Sequence, residues 1–256
     1  MMDRISPSLF FRRKTMKKEY QNYIFDFYGT LADIRTDEEN PRVWECFANY
    51  LKRMGLDTEG SSLRERYFRL CRSDSERSAV EGARRRLEGP YEIDLLLVWQ
   101  ALGQELGVSL SRQQSEELSL AFRALSLERL RLYHGARDLL HTLRVLKKRV
   151  VLLSNAQASF TLQELKVLEL DNTFDAVLLS SDAGVKKPSR SFFALLQQMG
   201  FRAEESVMIG NDLTCDCQGA ASVGMDSFFI HTEQSPNHRR VLPRGCKEIF
   251  DLSEVL

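Results

Sequence analysis

From Gly135 onward, short apolar runs alternate with segments of helical periodicity. Strands are predicted at 149–154, 176–179, 206–209 and 227–230, with helices of roughly ten residues between them. Strands that alternate with helices join through right-handed crossovers, and helices then cover both faces of a parallel sheet. The pattern therefore predicts an α/β fold built on a Rossmann-like parallel sheet.

One more strand of this kind lies far upstream. The apolar run Tyr23-Ile24-Phe25 ends in Asp26, and Gly29 and Thr30 follow closely. In open α/β sheets the ligand lies at the carboxyl ends of the strands, so we expect Asp26 at the rim of a site. A carboxylate there can bind a divalent cation or act as a nucleophile. One aspartate could equally be a turn residue, so the interpretation depends on the other strand ends.

The segment between the first strand and this alternating region has a different character. Strand-like runs are missing from 37 to 131, and helical spacing takes over, as in Val43, Phe47 and Leu51. Four helices are expected, the last three at about 62–80, 92–105 and 111–131. We therefore predict an all-helical insert at 36–131, within an α/β core formed by 20–35 and 132–256.

Charge and composition restrict the classes of partner that this 256-residue chain could bind. Its 36 Lys and Arg residues balance 36 Asp and Glu, so no overall field favours nucleic acid or an anionic membrane. The basic segment 1–19 is expected to be a poorly ordered extension without a function. No apolar run is long enough to span a bilayer. Five cysteines without a CxxC pair indicate free thiols, and hence a cytoplasmic protein.

Polar residues follow the next two strands of the alternating region. Ser154 and Asn155 close the strand at 149–154, and either could cap a helix or bind an anion. After the strand at 176–179 comes Lys187, followed by Pro188. A lysine held there could neutralise both a bound oxyanion and the Asp26 carboxylate; Lys186 is the alternative if the register differs by one residue.

Two carboxylates follow the strand at 206–209. Asp212 and Asp216 lie four residues apart, where a helix is expected to begin. Asp26 and Asp212 would supply oxygens from separate strand ends. That is sufficient for Mg²⁺, which takes one or two carboxylates and keeps several waters.

Taken together, these clusters resemble the four motifs of the haloacid dehalogenase superfamily of hydrolases. The resemblance covers about 20–230, and the helical insert resembles the superfamily's C1-type cap, which selects the substrate. The matching stretches are Asp26-Phe27-Tyr28-Gly29-Thr30, Leu153-Ser154-Asn155, Lys187-Pro188, and Gly210-Asn211-Asp212 through Asp216 with Gly219-Ala220.

The resemblance implies a covalent mechanism with Asp26 as the nucleophile. Ser154, Asn155 and Lys187 would bind the transferred group, and Thr30 and Asp216 would complete the catalytic set. Mg²⁺ would be held by Asp26, the carbonyl of Tyr28, and Asp212. The leading hypothesis is a Mg²⁺-dependent phosphatase of a small phosphorylated metabolite.

Two departures from the motifs keep other functions open. Tyr28 stands where phosphatases of the superfamily usually carry an acid/base aspartate, and a tyrosine is a poor base at neutral pH. The Asp-x-Tyr-Gly-Thr form resembles the metal-independent 2-haloacid dehalogenases, the second hypothesis. A protein that binds a phosphorylated ligand or a partner without turnover is the third. Asn211 stands where the fourth motif often has its first acid, and we expect Asp212 to take over that role.

Overall fold

The computed structural model describes residues 18–236 and 241–256; most of the predicted extension at 1–19 lies outside them. Six parallel strands form one sheet, which confirms the predicted α/β fold. The strands are β1 (Asn22–Phe25), β4 (Arg149–Ser154), β5 (Ala176–Leu179), β6 (Ser206–Gly210), β7 (Asp226–Ile230) and β8 (Cys246–Ile249). Their order in the sheet is β5-β4-β1-β6-β7-β8.

Helices cover both faces of this sheet. Residues of β1 alternate between the two layers: Ile24 packs with Phe192 of one helix, whereas Tyr23 and Phe25 pack with Leu143 of another. Burial of β1 on both faces explains the apolar run Tyr23-Ile24-Phe25 within it. The helices of this part are α5 (Ala136–Val145), α6 (Ala158–Val167), α7 (Ser180–Ala183), α8 (Arg190–Gln198) and α9 (Gly219–Ser222).

Four helices lie between the first strand and this part of the chain, and they share an aromatic core. Trp44, Phe47, Tyr67, Trp99 and Phe122 are all buried in one cluster. The two tryptophans are thus packing residues rather than a binding platform. The helices are α1 (Pro41–Arg53), α2 (Gly60–Arg84), α3 (Leu95–Glu105) and α4 (Arg112–Ser126).

The predicted helix at 111–131 is wrong at its end. It stops at Ser126, and β3 (Leu127–Leu132) pairs antiparallel with β2 (Ala32–Thr36) in a separate two-stranded sheet. Residues 127–132 form a strand because their side chains alternate between two faces. Arg129 and Arg131 therefore project to the same side, where both bind Asp33. This sheet joins the helical insert, here α1–α4, to the rest of the chain.

Among the described residues, no helix is both long and apolar enough to cross a membrane.

Candidate active site

Asp26 lies at the carboxyl edge of the sheet, directly after the central strand β1. Its backbone nitrogen donates to the Ile209 carbonyl of β6 at 2.9 Å, which extends the sheet pairing by one residue. Its Oδ1 accepts from Ser154 Oγ at 3.0 Å and from Lys187 Nζ at 2.6 Å. Thr30 Oγ1 lies 3.3 Å from the other oxygen, Oδ2. The structure thus brings four of the predicted site residues into contact.

Lys187, rather than its neighbour Lys186, is the lysine of the site. Its side chain is only 2% exposed. The Asn155 side chain binds the Lys187 backbone at both ends: Oδ1 accepts from the amide nitrogen at 2.7 Å, and Nδ2 donates to the carbonyl at 3.2 Å. In this structure Asn155 therefore positions Lys187.

A single ammonium stands between two carboxylates at this edge. Lys187 Nζ lies 2.7 Å from Asp216 Oδ1, in addition to its contact with Asp26. Burial alone would lower the pKa of the Lys187 ammonium, but Asp216 and Asp26 together raise it. Burial raises the pKa of the Asp216 carboxyl; Lys187 opposes this shift and Asp26 adds to it. When both carboxylates are ionised, the three groups carry one excess negative charge, an arrangement suited to a cation or an electrophile.

Asp212 begins the segment that follows β6. Its Oδ1 accepts from the backbone nitrogens of Thr214 at 2.8 Å and Cys215 at 2.9 Å. A π-helix at Leu213–Gln218, followed by the short α9, lies where the sequence predicts the start of a helix. Asp216 Oδ2 in turn accepts from the Asp212 nitrogen at 2.9 Å. These bonds fix both carboxylates relative to the end of β6.

Asp26 and Asp212 line one cavity of about 210 Å³. Its other lining residues are Tyr28, Ser154, Asn155, Lys187, Asn211, Cys215, Asp216, Gln234 and Pro236. No cluster of three or more His, Cys, Asp or Glu side chains suited to a metal occurs in the part of the chain that the structure describes. Two carboxylates fit a hard cation that keeps most of its waters, and Mg²⁺ is such a cation.

Gly29 allows the first loop to approach the end of β6. It adopts a φ of +82°, which favours glycine. A Cβ atom at this position would lie 2.3 Å from Asn211 Nδ2, so no larger residue fits without displacement. Asn211 thus packs against the loop that carries Asp26, while Asp212 lines the cavity beside it.

The side chain of Tyr28 reaches out of the cluster of charges toward two helices. Its hydroxyl donates to Glu164 and lies 2.9 Å from Thr161 Oγ1, both on α6. Arg123 of α4 donates to Glu164 from Nε at 2.7 Å. Burial and the Glu164 charge raise the pKa of the Tyr28 hydroxyl, so it stays protonated. Glu164 therefore joins Tyr28 to Arg123 of the helical insert, and the proton of the Tyr28 hydroxyl is directed toward Glu164.

Substituting Tyr28→Phe should therefore affect stability more than chemistry. We expect the free energy of unfolding to fall by about 1–2 kcal/mol, because Glu164 loses one buried donor and keeps Arg123. Turnover should fall less than about tenfold if the hydroxyl takes no part in proton transfer. Urea unfolding and steady-state kinetics of the same preparation test both expectations. A loss of 10³-fold in kcat with unchanged stability would contradict them.

Sequence reasoning did not find Glu164, Arg123, Thr161 or Gln234. The first three lie on two helices distant from the first motif, and their pairing with Tyr28 has no local signal. Gln234 follows the last buried strand, where a polar residue is ordinary. Only the position of β7 next to β6 at the site edge could have drawn attention to it.

Comparison with known proteins defines the class. A family model described as haloacid dehalogenase-like hydrolase matches residues 20–224. Ribulose-1,5-bisphosphate 5-phosphatase of Halopiger xanaduensis is 32% identical over 129 residues, which are 50% of this chain and 54% of that protein. The chain spans about half the length of the curated relatives it matches.

Solved structures show the same fold over nearly the whole chain. HAD-hydrolase YfnB from Bacillus subtilis, solved bound to magnesium, has a TM-score of 0.52 at 21% identity and covers 93% of this chain and 97% of its own. L-2-haloacid dehalogenase RSc1362 has a TM-score of 0.55 at 19% identity, with coverages of 93% and 97%. At such identities the likeness shows the fold alone. The chain belongs to the haloacid dehalogenase-like hydrolases.

Proposed function

We propose that this protein is a Mg²⁺-dependent phosphatase of a small phosphorylated metabolite. The observation that carries the proposal is the Asp26 carboxylate, held by Lys187 and Ser154 in the cavity that Asp212 also lines. A fixed carboxylate beside a buried ammonium suits nucleophilic attack on an anionic phosphorus centre. The phosphatase names of the curated relatives support this class of substrate.

In the proposed mechanism, an oxygen of Asp26 forms a bond to phosphorus as the bond to the leaving oxygen breaks, and that oxygen takes a proton from water and departs as the alcohol. Water then hydrolyses the aspartyl-phosphate, releasing phosphate and restoring the carboxylate. Lys187 and Ser154 stabilise the charge on the transferred group, and Thr30 orients Asp26. Asn155 and Asp216 act on Lys187, through its backbone and its ammonium respectively.

Asp26, Asp212 and the carbonyl of Tyr28 would hold Mg²⁺, which supplies further positive charge for the phosphoryl oxygens when bound. The donor set contains oxygens only, which suits this hard cation better than zinc.

A phosphatase screen with and without metal tests the proposal. An aryl phosphate and a panel of phosphorylated metabolites are incubated with the protein in Mg²⁺, and then in EDTA. We expect phosphate release in Mg²⁺ and at least a 100-fold lower rate in EDTA. Absence of release from every ester in Mg²⁺ would overturn the proposal.

The second candidate function is metal-independent dehalogenation of a 2-haloacid. It is favoured by Tyr28, whose hydroxyl is bound to Glu164 and leaves no acid/base residue two positions after Asp26. Chloride release from 2-chloropropionate in EDTA would support this function. If neither phosphate nor chloride is released but a phosphate analogue binds measurably, a binding protein without turnover would be favoured.

A further inference from the structure

The segment that follows β7 forms part of the wall of the active site. Thr232 Oγ1 donates to the carbonyl of Gly29 at 2.7 Å, in the loop that carries Asp26. Ser235 Oγ donates to the Ile230 carbonyl at 3.1 Å and stabilises the turn between them. Gln234, between Thr232 and Ser235, lines the same cavity as Asp26. The turn therefore holds Gln234 at a defined place beside the nucleophile.

The amide of Gln234 has only one chemically possible orientation. Its Nε2 donates to Asp33 Oδ1 at 3.0 Å and to the Ile34 carbonyl at 2.6 Å. Both partners can only accept, so the NH₂ end must face them and the oxygen must lie at the other end. Among the bonds between described residues, none reaches Gln234 Oε1.

The Asp33 carboxylate is itself held in place by ion pairs with two arginines. Arg129 Nη2 and Arg131 Nε each donate to one of its oxygens at 2.9 Å. The Asp33 side chain is 4% exposed. Burial opposes ionisation, but bonds from Arg131 and Arg129 hold the pKa of the Asp33 carboxyl below its usual range. Two guanidinium groups more than offset the single charge of Asp33, so the side of Gln234 that faces Asp33 carries no excess negative charge.

We propose that Gln234 is a specificity-determining residue, whose amide oxygen accepts a hydrogen bond from a hydroxyl on the leaving group. The substrates would then be phosphate monoesters of a hydroxylated alcohol, and Asp33 would be the positioning residue for Gln234. This inference rests on the proposed phosphatase function.

The chemistry of the amide oxygen selects this substrate class. An acceptor repels the phosphoryl oxygens, which Lys187 and Ser154 are placed to bind. It therefore acts on the other part of the substrate, which must carry a donor. At this end of the cavity a neutral hydroxyl is a better donor than an ammonium group, because Arg129 and Arg131 together outweigh the charge of Asp33 behind Gln234.

The test uses a matched pair of probes, glycerol 3-phosphate and propyl phosphate, which differ only in the hydroxyl groups. In the unaltered protein we expect kcat/KM to favour glycerol 3-phosphate by roughly threefold to tenfold, the range for one neutral hydrogen bond. Gln234→Leu should bring this ratio to about one, and Asp33→Asn should lower it part of the way. Gln197→Leu is the control: it is exposed at the far end of α8, and should leave the ratio unchanged.

Binding by calorimetry in Mg²⁺ separates the two proposals. No turnover of any ester, with tighter binding of glycerol 3-phosphate that Gln234→Leu abolishes, would reject the phosphatase and retain Gln234. Turnover with the same probe ratio in the unaltered protein and in Gln234→Leu would reject the role of Gln234 alone. Equal preference for an aminoalkyl phosphate and glycerol 3-phosphate would overturn the choice of a hydroxyl.

Discussion

Asp26→Asn is expected to abolish turnover while leaving the fold intact. The amide has the shape of the carboxylate, and its oxygen still accepts from Lys187 and Ser154. It is, however, a poor nucleophile, so the covalent intermediate cannot form at a useful rate. We expect kcat to fall by about 10⁴-fold or more, measured as phosphate release with the best ester of the screen.

The same substitution should not destabilise the protein. Asp26 and Asp216 share one ammonium, and the charge of Asp26 contributes to the raised pKa of Asp216. Removing that charge leaves Lys187 and Asp216 as a balanced pair. Without Mg²⁺, the free energy of unfolding should stay unchanged or rise by about 1 kcal/mol.

Calorimetry and kinetics on one preparation check both halves of this expectation. Asp57→Asn is a suitable control, because the Asp57 side chain is 80% exposed and its loss should alter neither quantity. Unchanged turnover in Asp26→Asn would falsify the assignment of the nucleophile. A clear loss of stability would instead mean that the charge of Asp26 is needed to hold Lys187.

The sheet explains why so much of the site could be located before the structure. Parallel strands place their carboxyl ends at one edge, so polar residues after separate strands must lie near one another. Asp26, Ser154, Lys187 and Asp216 are far apart in sequence and in contact in space. The roles given to these residues stay predictions, since contact alone does not define chemistry.

The features that escaped prediction depend on pairings without a local signature. Tyr28, Glu164 and Arg123 come from a loop and two helices, and only the packing of those helices brings them together. The sequence predicts a helix through β3, because apolar residues near the start of this strand continue the spacing of α4. The alternation of Arg129 and Arg131 indicates a strand only once Asp33 is known to lie opposite them.

Lys187→Met is expected to cost more stability than any other single change at the site. Methionine fills a similar volume without a charge, and leaves Asp26 and Asp216 facing each other. Both carboxylates are nearly buried, with side chains 10% and 1% exposed. Removing one partner of a buried ionic cluster typically costs about 3–5 kcal/mol, and we expect a loss of that size at pH 8, together with loss of turnover.

The loss of stability in Lys187→Met should be smaller at acidic pH, because of the way in which Asp216 binds a proton. Burial raises the pKa of its carboxyl in the folded state, and Lys187 is the group that opposes this shift. Without the lysine the pKa rises further, so the folded protein binds a proton that the unfolded chain gives up. A group of this kind stabilises the fold at low pH, and its contribution is lost as the pH rises through the folded pKa. Lys187→Met should therefore be closer to the unaltered protein at pH 5 than at pH 8.

A double substitution separates this electrostatic cause from a packing defect. Adding Asp26→Asn to Lys187→Met removes one of the two facing charges, and should recover about 1–2 kcal/mol of the loss at pH 8. The control is Lys186→Met, whose side chain is half-buried beside the site and should change stability by less than about 0.5 kcal/mol. A loss that is the same at both pH values, and that Asp26→Asn does not relieve, would mean that Lys187 stabilises the site by filling space rather than by its charge.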